Sequence, residues 1–359
     1  MLERFAHHFP QTLDLLDKAR GDVFPDYAVG VFYKKKSHFG YAGCGASSLF
    51  DLASVSKVFA TTTIAAIADE RGVVTTERPV KLYFPAFGDS RVCVSHLLNH
   101  TSGFPAWLPL HMQFHGEKDR GEFDPRRTPA FARARYERDI FASHSPKNFE
   151  KEALYSDLGF ITLGWILEKG TDLPLDALFQ EWVLRRSGLE SLQFLPTSPD
   201  VVPTEDCPWR GRVLRGEVHD DNCFVLGGVA GHAGLFGNTH DVLTMGRFWL
   251  DAYHGRPVPI SGLTQAAVRK FWTFSHLKNT SRVLGWDGVT PGSSSTGQYF
   301  GSNSRGHLGY TGTSLWIDPD RELVVTLLTN RVHPTRTNEK IKTFRPKFHD
   351  TLLAELGIS

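Results

Sequence analysis

Residues 50–72 read FDLASVSKVFATTTIAAIADERG. The stretch parses as an apolar helix of about eighteen residues that begins near Ser54 and stops at Gly72. Ser54 and Lys57 stand at i and i+3. On a helix they share one face, roughly one turn apart, so the lysine amine reaches the serine hydroxyl. The helix start also leaves unpaired backbone N–H groups and the positive end of the dipole beside Ser54, a setting that favours negative charge. A developing oxyanion on an acylated serine is such a charge. To take the serine's proton Lys57 must be neutral, which calls for burial or a cationic neighbour.

Spacing of this kind is a weak signal by itself, because a chain this long holds about one such motif by chance. Indeed Ser275-His276-Leu277-Lys278 repeats it. Context separates the two. Ser54 follows a strand region, DYAVGVFYKKK at 26–36 and a shorter strand near HFGYAG, and opens a long apolar helix. Ser275 sits in a short polar stretch late in the chain, with no suitable partners after it. Two elements follow Ser54 in the order an acyl-transfer site requires. Tyr155-Ser156-Asp157 opens the helix SDLGFITLGWILEKGT, where a tyrosine can share or relay the serine's proton. Its competing role is an aromatic staple with Asp157 as the cap. His307-Leu308-Gly309 lies on a strand and runs into Tyr310-Thr311-Gly312-Thr313. A strand edge there supplies a second backbone N–H to an oxyanion hole, and Gly309 lets substrate approach.

Further outward, residues 1–20 read as one amphipathic helix, and SHLLNHTSG as a short helix followed by a turn. Residues 116–148, with Arg126, Arg127, Arg133, Arg135 and Arg138 balanced by acids, read as a solvated surface excursion. Leu158, Ile161, Trp165 and Ile166 recur at helical spacing and are core candidates. RGHLGYTGTSLWIDPDRELVVTLLTNRV is a hairpin that turns at Asp318-Pro319-Asp320, and the tail from Asn338 to Gly357 is helical. Strands at both ends must meet in one sheet. The expectation is a single catalytic domain, with a sheet lobe from about 1–60 and 230–359 and a mostly helical lobe inserted at about 61–229.

Composition sets the outer bounds. Forty basic residues against thirty-nine acidic ones exclude a nucleic-acid binder that works by blanket phosphate neutralisation. No run of about eighteen apolar residues exists to span a membrane. The N-terminus lacks the apolar core of a secretory signal, so a cytoplasmic chain is expected, or a periplasmic one if a leader is missing. Cys44, Cys93, Cys207 and Cys223 form no CxxC pair, which fits reduced thiols.

FDLASVSK, LLNHTSGFP, YSD and HLG together resemble the motifs of the penicillin-recognising serine hydrolases, in the class C β-lactamase and D-alanyl-D-alanine peptidase branch. The resemblance runs from about residue 25 to 355. EVHDDN at 217–222, GGVAGHAGLFG at 227–237 and LLTNRVHPTR at 327–336 are similar to a subgroup that includes an exo-acting N-acetylmuramyl-L-alanine amidase and a D-alanyl-D-alanine carboxypeptidase. It implies an α+β fold, an antiparallel sheet flanked by helices with the helical lobe inserted. It also implies an acyl-enzyme on Ser54, no cofactor, and a monomer acting on peptidoglycan-derived muropeptides or D-alanyl peptides. Esters and β-lactams are the alternative substrates, and a non-catalytic penicillin-binding-like sensor is the alternative class. By position, Lys57 is the proton partner of Ser54, Tyr155 the general base or relay, and the Ser54 and Tyr310 amides the oxyanion hole. Asp157 replaces the usual asparagine; a carboxylate there favours a cationic Lys57 and repels an anionic substrate group. His307 replaces lysine and offers charge only when protonated. Arg331 and Arg336 are the nearest carboxylate contacts.

Sixteen histidines invite other readings. His96 and His100, and His111 and His115, are spaced i, i+4 as zinc ligands are, but HLLNH lacks the glutamate of H-E-x-x-H. His219, Asp220 and His232 lie in a Gly-rich setting that suggests a loop brought to the cavity, either to contact substrate or to form a structural hydrogen-bond network.

Overall fold

The computed structural model describes residues 2–114, 129–290, 292 and 294–359. Its centre is a six-stranded antiparallel sheet built from the two ends of the chain. β1 (Tyr27–Tyr33) pairs with β2 (Lys36–Ala42) on one side and with β11 (Leu323–Thr329) on the other. The sheet continues through β10 (Ser314–Asp318) and β9 (Arg305–Leu308) to a two-residue edge strand, β8 (Asp287–Gly288). The expected turn at Asp318-Pro319-Asp320 joins β10 to β11. A smaller sheet sets β7 (Leu235–Gly237) between β3 (Phe50–Asp51) and β4 (Gln193–Phe194), and β5 (Asp206–Cys207) pairs with β6 (Arg212–Val213).

β1 and β11 are covered on both faces, which is why YAVGVFY and LVVTLLT are nearly continuous apolar runs. Successive side chains still divide between the faces. Val29, Val31, Val325 and Leu327 pack in a cluster with Phe9, Leu16, Phe344 and Leu352 of the terminal helices. Ala28, Phe32, Val324 and Leu328 belong to the larger cluster that runs into the remaining helices.

The first twenty residues form two helices, α1 (Leu2–His8) and α2 (Pro10–Ala19). One continuous helix was expected; Pro10 supplies no N–H and instead starts the second one. After Ser54 the chain enters a π-helical stretch at Lys57–Thr62 before α3 (Thr63–Glu70). Ser54 itself stands in the preceding turn, directly ahead of the helical residues Val55 and Ser56. α4 (Val94–Leu98), α5 (Pro129–Ser143), α6 (Asp157–Thr171) and α7 (Leu175–Phe179) follow. α8 (Asp221–Val225), α9 (Thr239–Tyr253), α10 (Gln265–Thr273) and α11 (Ile341–Glu355) complete the set. Leu158, Ile161, Trp165 and Ile166 of α6 are buried as their spacing requires. Ser156, not Asp157, caps α6, its hydroxyl accepting from the Gly159 amide. That frees the Asp157 carboxylate for other work. His115, Arg126 and Arg127 lie outside the described residues. Arg133 pairs with Glu168 at 2.6 Å. Among the described residues no helix is long and apolar enough to cross a membrane.

Candidate active site

The nucleophile turn is assembled before the helix begins. Ala53 takes a left-handed φ of +46°, a conformation costly for a residue with a Cβ. The Asp51 carboxylate holds it there: Oδ1 accepts from the Ala53 amide at 2.8 Å and Oδ2 from the His219 amide at 2.6 Å. Asp51 is fully buried, and burial raises its pKa despite those two amides. A second clamp comes from the loop between β9 and β10. The Thr311 and Thr313 hydroxyls donate to the Asp51 and Leu52 carbonyls at 2.7 and 3.0 Å. Gly309 belongs to this contact, since the position of a Cβ is taken by Thr313 Oγ1 and Leu52 O. The glycine therefore serves the fit of the loop against the nucleophile turn.

Lys57 lies behind Ser54 and is wholly buried. Its Nζ donates to Ser54 Oγ at 3.0 Å and to the His232 carbonyl at 2.9 Å, and forms an ion pair with Asp157, Oδ1 lying 2.7 Å away. Burial works to lower its pKa, but the Asp157 and Tyr155 side chains outweigh burial and the net shift is upward. The amine is thus held protonated, as the carboxylate of Asp157 favours, and must lose a proton before it can take one from Ser54. The physical reason is the carboxylate at the third position of the YSD motif. Tyr155 is pushed up to about 12, first by burial, so it too keeps its proton at neutral pH.

The turn after α4 supports that tyrosine. His100, at φ +61°, accepts from the Ser156 amide through Nδ1 at 3.0 Å and packs its ring 4.7 Å from Tyr155. On the far side, the His307 ring centroid lies 5.8 Å from that of Tyr155. His307 is buried and its pKa falls to about 4, chiefly through desolvation. Nδ1 faces the Leu308 carbonyl at 2.9 Å, which places the proton of the neutral ring there and leaves Nε2 as an unpartnered acceptor. His307 brings no positive charge to the site at neutral pH.

Ser54, Tyr155, Asp157, His219, His307, Gly309, Tyr310 and Arg336 line one cavity of about 630 Å³, as do Trp107, Arg282 and Arg345. Among the described residues no backbone carbonyl accepts from the Ser54 or Tyr310 amide. His219 stacks on Tyr310 with centroids 5.7 Å apart and places Nε2 3.3 Å from Glu205. His232 turns its ring to Asp220 at 2.8 Å, while its carbonyl holds Lys57. Both candidate arginines are engaged by the protein, although Arg336, with 36% of its side chain exposed, still lines the cavity. Arg336 donates to both oxygens of Glu205 and to Asp221, and Arg331 to the carbonyls of Tyr310, Arg336 and Asn338. Ser275 and Lys278 line a separate cleft.

Within the Gly-rich run at 227–237, Gly231 is explained by close packing on α6. A Cβ at Gly231 would sit 2.0 Å from the Phe160 carbonyl, and the Gly231 carbonyl accepts from Thr61 at 2.7 Å. Gly231→Ala is expected to cost about 1–3 kcal/mol through overpacking. Because His232 is next in sequence, it should also displace the carbonyl that holds Lys57. A thermal melt together with the rate of Ser54 acylation checks both effects.

The His96–His100 pair does not form an i, i+4 site, and His115 of the second pair lies outside the described residues. The left-handed backbone at His100 turns it to Tyr155, away from His96. Among the described residues one cluster, His96, Glu150 and His276, brings three potential ligand atoms within 4.8 Å of one another. The two rings stack at 3.8 Å and 9°, so no point lies in both ring planes. His96 Nδ1 accepts from the Cys93 amide at 2.9 Å, which puts the proton of the neutral ring on Nε2, facing Glu150 at 3.0 Å. This polarity suits a hydrogen-bonded hub around Glu150 better than a cation.

Comparison with known proteins shows the family. The family model described as Beta-lactamase matches residues 13–347. A putative D-alanyl-D-alanine carboxypeptidase of Escherichia coli (strain K12) is 28% identical over 322 residues, covering 80% of this chain and 70% of that protein. An N-acetylmuramyl-L-alanine amidase of Bacillus subtilis (strain 168) is 27% identical over 318 residues, covering 80% and 68%. The octameric penicillin-binding protein homologue from Pyrococcus abyssi superposes with a TM-score of 0.73 at 17% identity, over 98% of this chain and 78% of that one. The chain belongs to the Beta-lactamase family and is by family a serine-type hydrolase.

Proposed function

We propose that the protein cleaves an amide bond in peptidoglycan-derived muropeptides or D-alanyl peptides, through an acyl-enzyme on Ser54. The observation that carries this reading is the 3.0 Å contact between Lys57 Nζ and Ser54 Oγ at the wall of a cavity large enough for a peptide fragment. The substrate carbonyl sits between the Ser54 and Tyr310 amides, which stabilise the oxyanion as it forms. Ser54 attacks, Tyr155 supplies a proton on the leaving-group side, and water then releases the acyl group. The names of the Escherichia coli and Bacillus subtilis relatives support the substrate class. His219 lines the cavity and positions substrate there, while His232, buried and paired with Asp220, acts from behind the wall by holding Lys57 through its carbonyl. The paired state of Arg336 makes it a support for Glu205 rather than a free carboxylate anchor. Four unbonded cysteines support a reducing, cytoplasmic setting, and a monomer is the proposed form, to be checked by light scattering.

The test is a panel of muropeptides, D-alanyl peptides, nitrocefin and p-nitrophenyl esters, read by product formation and by the intact mass of the protein. Turnover of a muropeptide or D-alanyl peptide with a transient acyl adduct on Ser54 is expected. Turnover confined to esters or nitrocefin would overturn the substrate class, and no adduct with any of them would overturn the enzyme itself.

A further inference from the structure

Release of the acyl group from Ser54 needs a base that takes a proton from the attacking water. The groups nearest Ser54 are poorly suited to it. The Lys57 ammonium has no lone pair, and Tyr155, pushed up to about 12, keeps its proton. His307 has an unpartnered Nε2, but that atom is sealed from solvent, and burial pulls the ring down to about 4. His232 turns Nε2 to Asp220, and its Nδ1 is sealed as well. The carboxylates are occupied: Asp157 by Lys57, Asp220 by His232, Asp221 by Arg210 and Arg336, and Asp287 by Arg282.

His219 is different. It lines the cavity, and among the described residues its Nδ1 has no hydrogen-bond partner. Nε2 lies 3.3 Å from Glu205 Oε2. That is longer than an ideal hydrogen bond, as such contacts often are before substrate tightens a site. It places the proton of the neutral ring on Nε2 and the lone pair on Nδ1. Glu205 is buried, yet His219 and Arg336 outweigh burial and hold it down to about 2, so it stays a carboxylate. Two contacts fix where the imidazole stands. The His219 amide donates to Asp51 Oδ2 at 2.6 Å, and the other oxygen of that carboxylate holds Ala53, the neighbour of Ser54. The His219 ring stacks on Tyr310 with centroids 5.7 Å apart, on the residue whose amide completes the proposed oxyanion hole. The imidazole is thereby tied to the nucleophile turn and to the loop beside it.

We infer that His219 is the general base of deacylation and that Glu205 is the residue that positions it. The inference rests on the acyl-enzyme on Ser54 proposed above and assigns the step that ends it. Water attacks the acyl carbon on Ser54. As the oxygen–carbon bond forms, one water proton passes to His219 Nδ1, and Glu205 stabilises the imidazolium. The bond between that carbon and Ser54 Oγ then breaks, and Oγ takes a proton from Lys57 Nζ, 3.0 Å away. The product acid returns a proton to Lys57 and leaves as a carboxylate, while His219 gives its proton to solvent. Ser54, Lys57 and His219 end as they began; one water is consumed and one proton is released.

The experiment separates the two half-reactions with a p-nitrophenyl ester, in the wild type, His219→Phe, His219→Gln and Glu205→Gln, with a thermal melt for each. His219→Phe keeps a ring against Tyr310, and His219→Gln keeps a polar side chain; both remove the base. Acylation is read as p-nitrophenol release with protein in excess over ester. Deacylation is read as the decay of the acyl mass on Ser54 after free ester has been removed. In both His219 variants deacylation should slow at least tenfold more than acylation, so that the acyl-enzyme accumulates. Glu205→Gln should show a smaller defect in the same step. Equal slowing of the two steps, which a merely structural role would give, overturns the proposal, as does deacylation within twofold of wild type. In either case a wild-type adduct that forms and decays leaves the serine-hydrolase reading intact. A wild type that forms no acyl adduct overturns both.

Discussion

Replacing Ser54 by alanine is expected to lower turnover of any accepted amide or ester by at least about 10⁴-fold, with no adduct detectable by mass. The size of the effect follows from what remains. Lys57, Tyr155 and the amides of the oxyanion hole keep their places, but no covalent intermediate forms without the hydroxyl. Residual rate would come only from binding and from the hole acting on water. The fold should be unaffected, because the Ser54 hydroxyl contributes a single acceptor to Lys57, and the turn is held by Asp51, Thr311 and Thr313. An unchanged melting temperature with lost turnover is the expected pair of results. A Ser54→Ala protein that still hydrolyses its substrate would place the nucleophile elsewhere.

The second large effect is expected at Lys57, and here chemistry and stability part company. Lys57→Met removes the base, and the rate of Ser54 acylation should drop by about 10²–10⁴-fold. It also strands the Asp157 carboxylate, which loses its cation inside the protein. Breaking one half of a buried pair costs about 3–5 kcal/mol, so the melting temperature should fall clearly. The double variant Lys57→Met/Asp157→Asn removes the stranded charge and should recover most of that stability while remaining inactive. Urea titrations of the four proteins in the cycle check the claim. Equal destabilisation in the single and double variants would show that Lys57 supports the fold through its aliphatic stem and not through its charge.

The backbone architecture was largely written in local patterns. β1 and β11 announce themselves as apolar runs, α6 by its spacing of Leu158, Ile161, Trp165 and Ile166, and the two-ended sheet by strands at both extremities. The main residues of the site were legible too, because Ser54, Lys57, Tyr155, Asp157 and His307 lie in short motifs. Their electrical state was legible only in part: Asp157 in YSD already favours a cationic Lys57, whereas the neutrality of His307 follows from a burial that its motif does not show. The supporting residues were also hidden. Asp51 lies inside the quoted FDLASVSK, yet its function, holding Ala53 in a left-handed conformation, is visible only once the turn has formed. His100 showed only an i, i+4 spacing to His96 in a segment read as a turn, and its contact with Tyr155 appears once the left-handed backbone directs the ring there. Arg336 looked like a free cation, since nothing in LLTNRVHPTR signals that Glu205 and Asp221 are waiting for it.

Arg345 lies on α11, is buried, and has no acidic partner among the described residues. It donates to the carbonyls of Gly309 and Thr313, the residues that bracket Tyr310. α11 is therefore a brace for the loop that carries Tyr310. Loss of the Arg345 guanidinium should leave the nucleophile turn intact, because Asp51 holds it independently, while the neighbouring loop drifts; a substitution more than thirty residues away in sequence would then read out as poorer transition-state binding and not as a missing nucleophile.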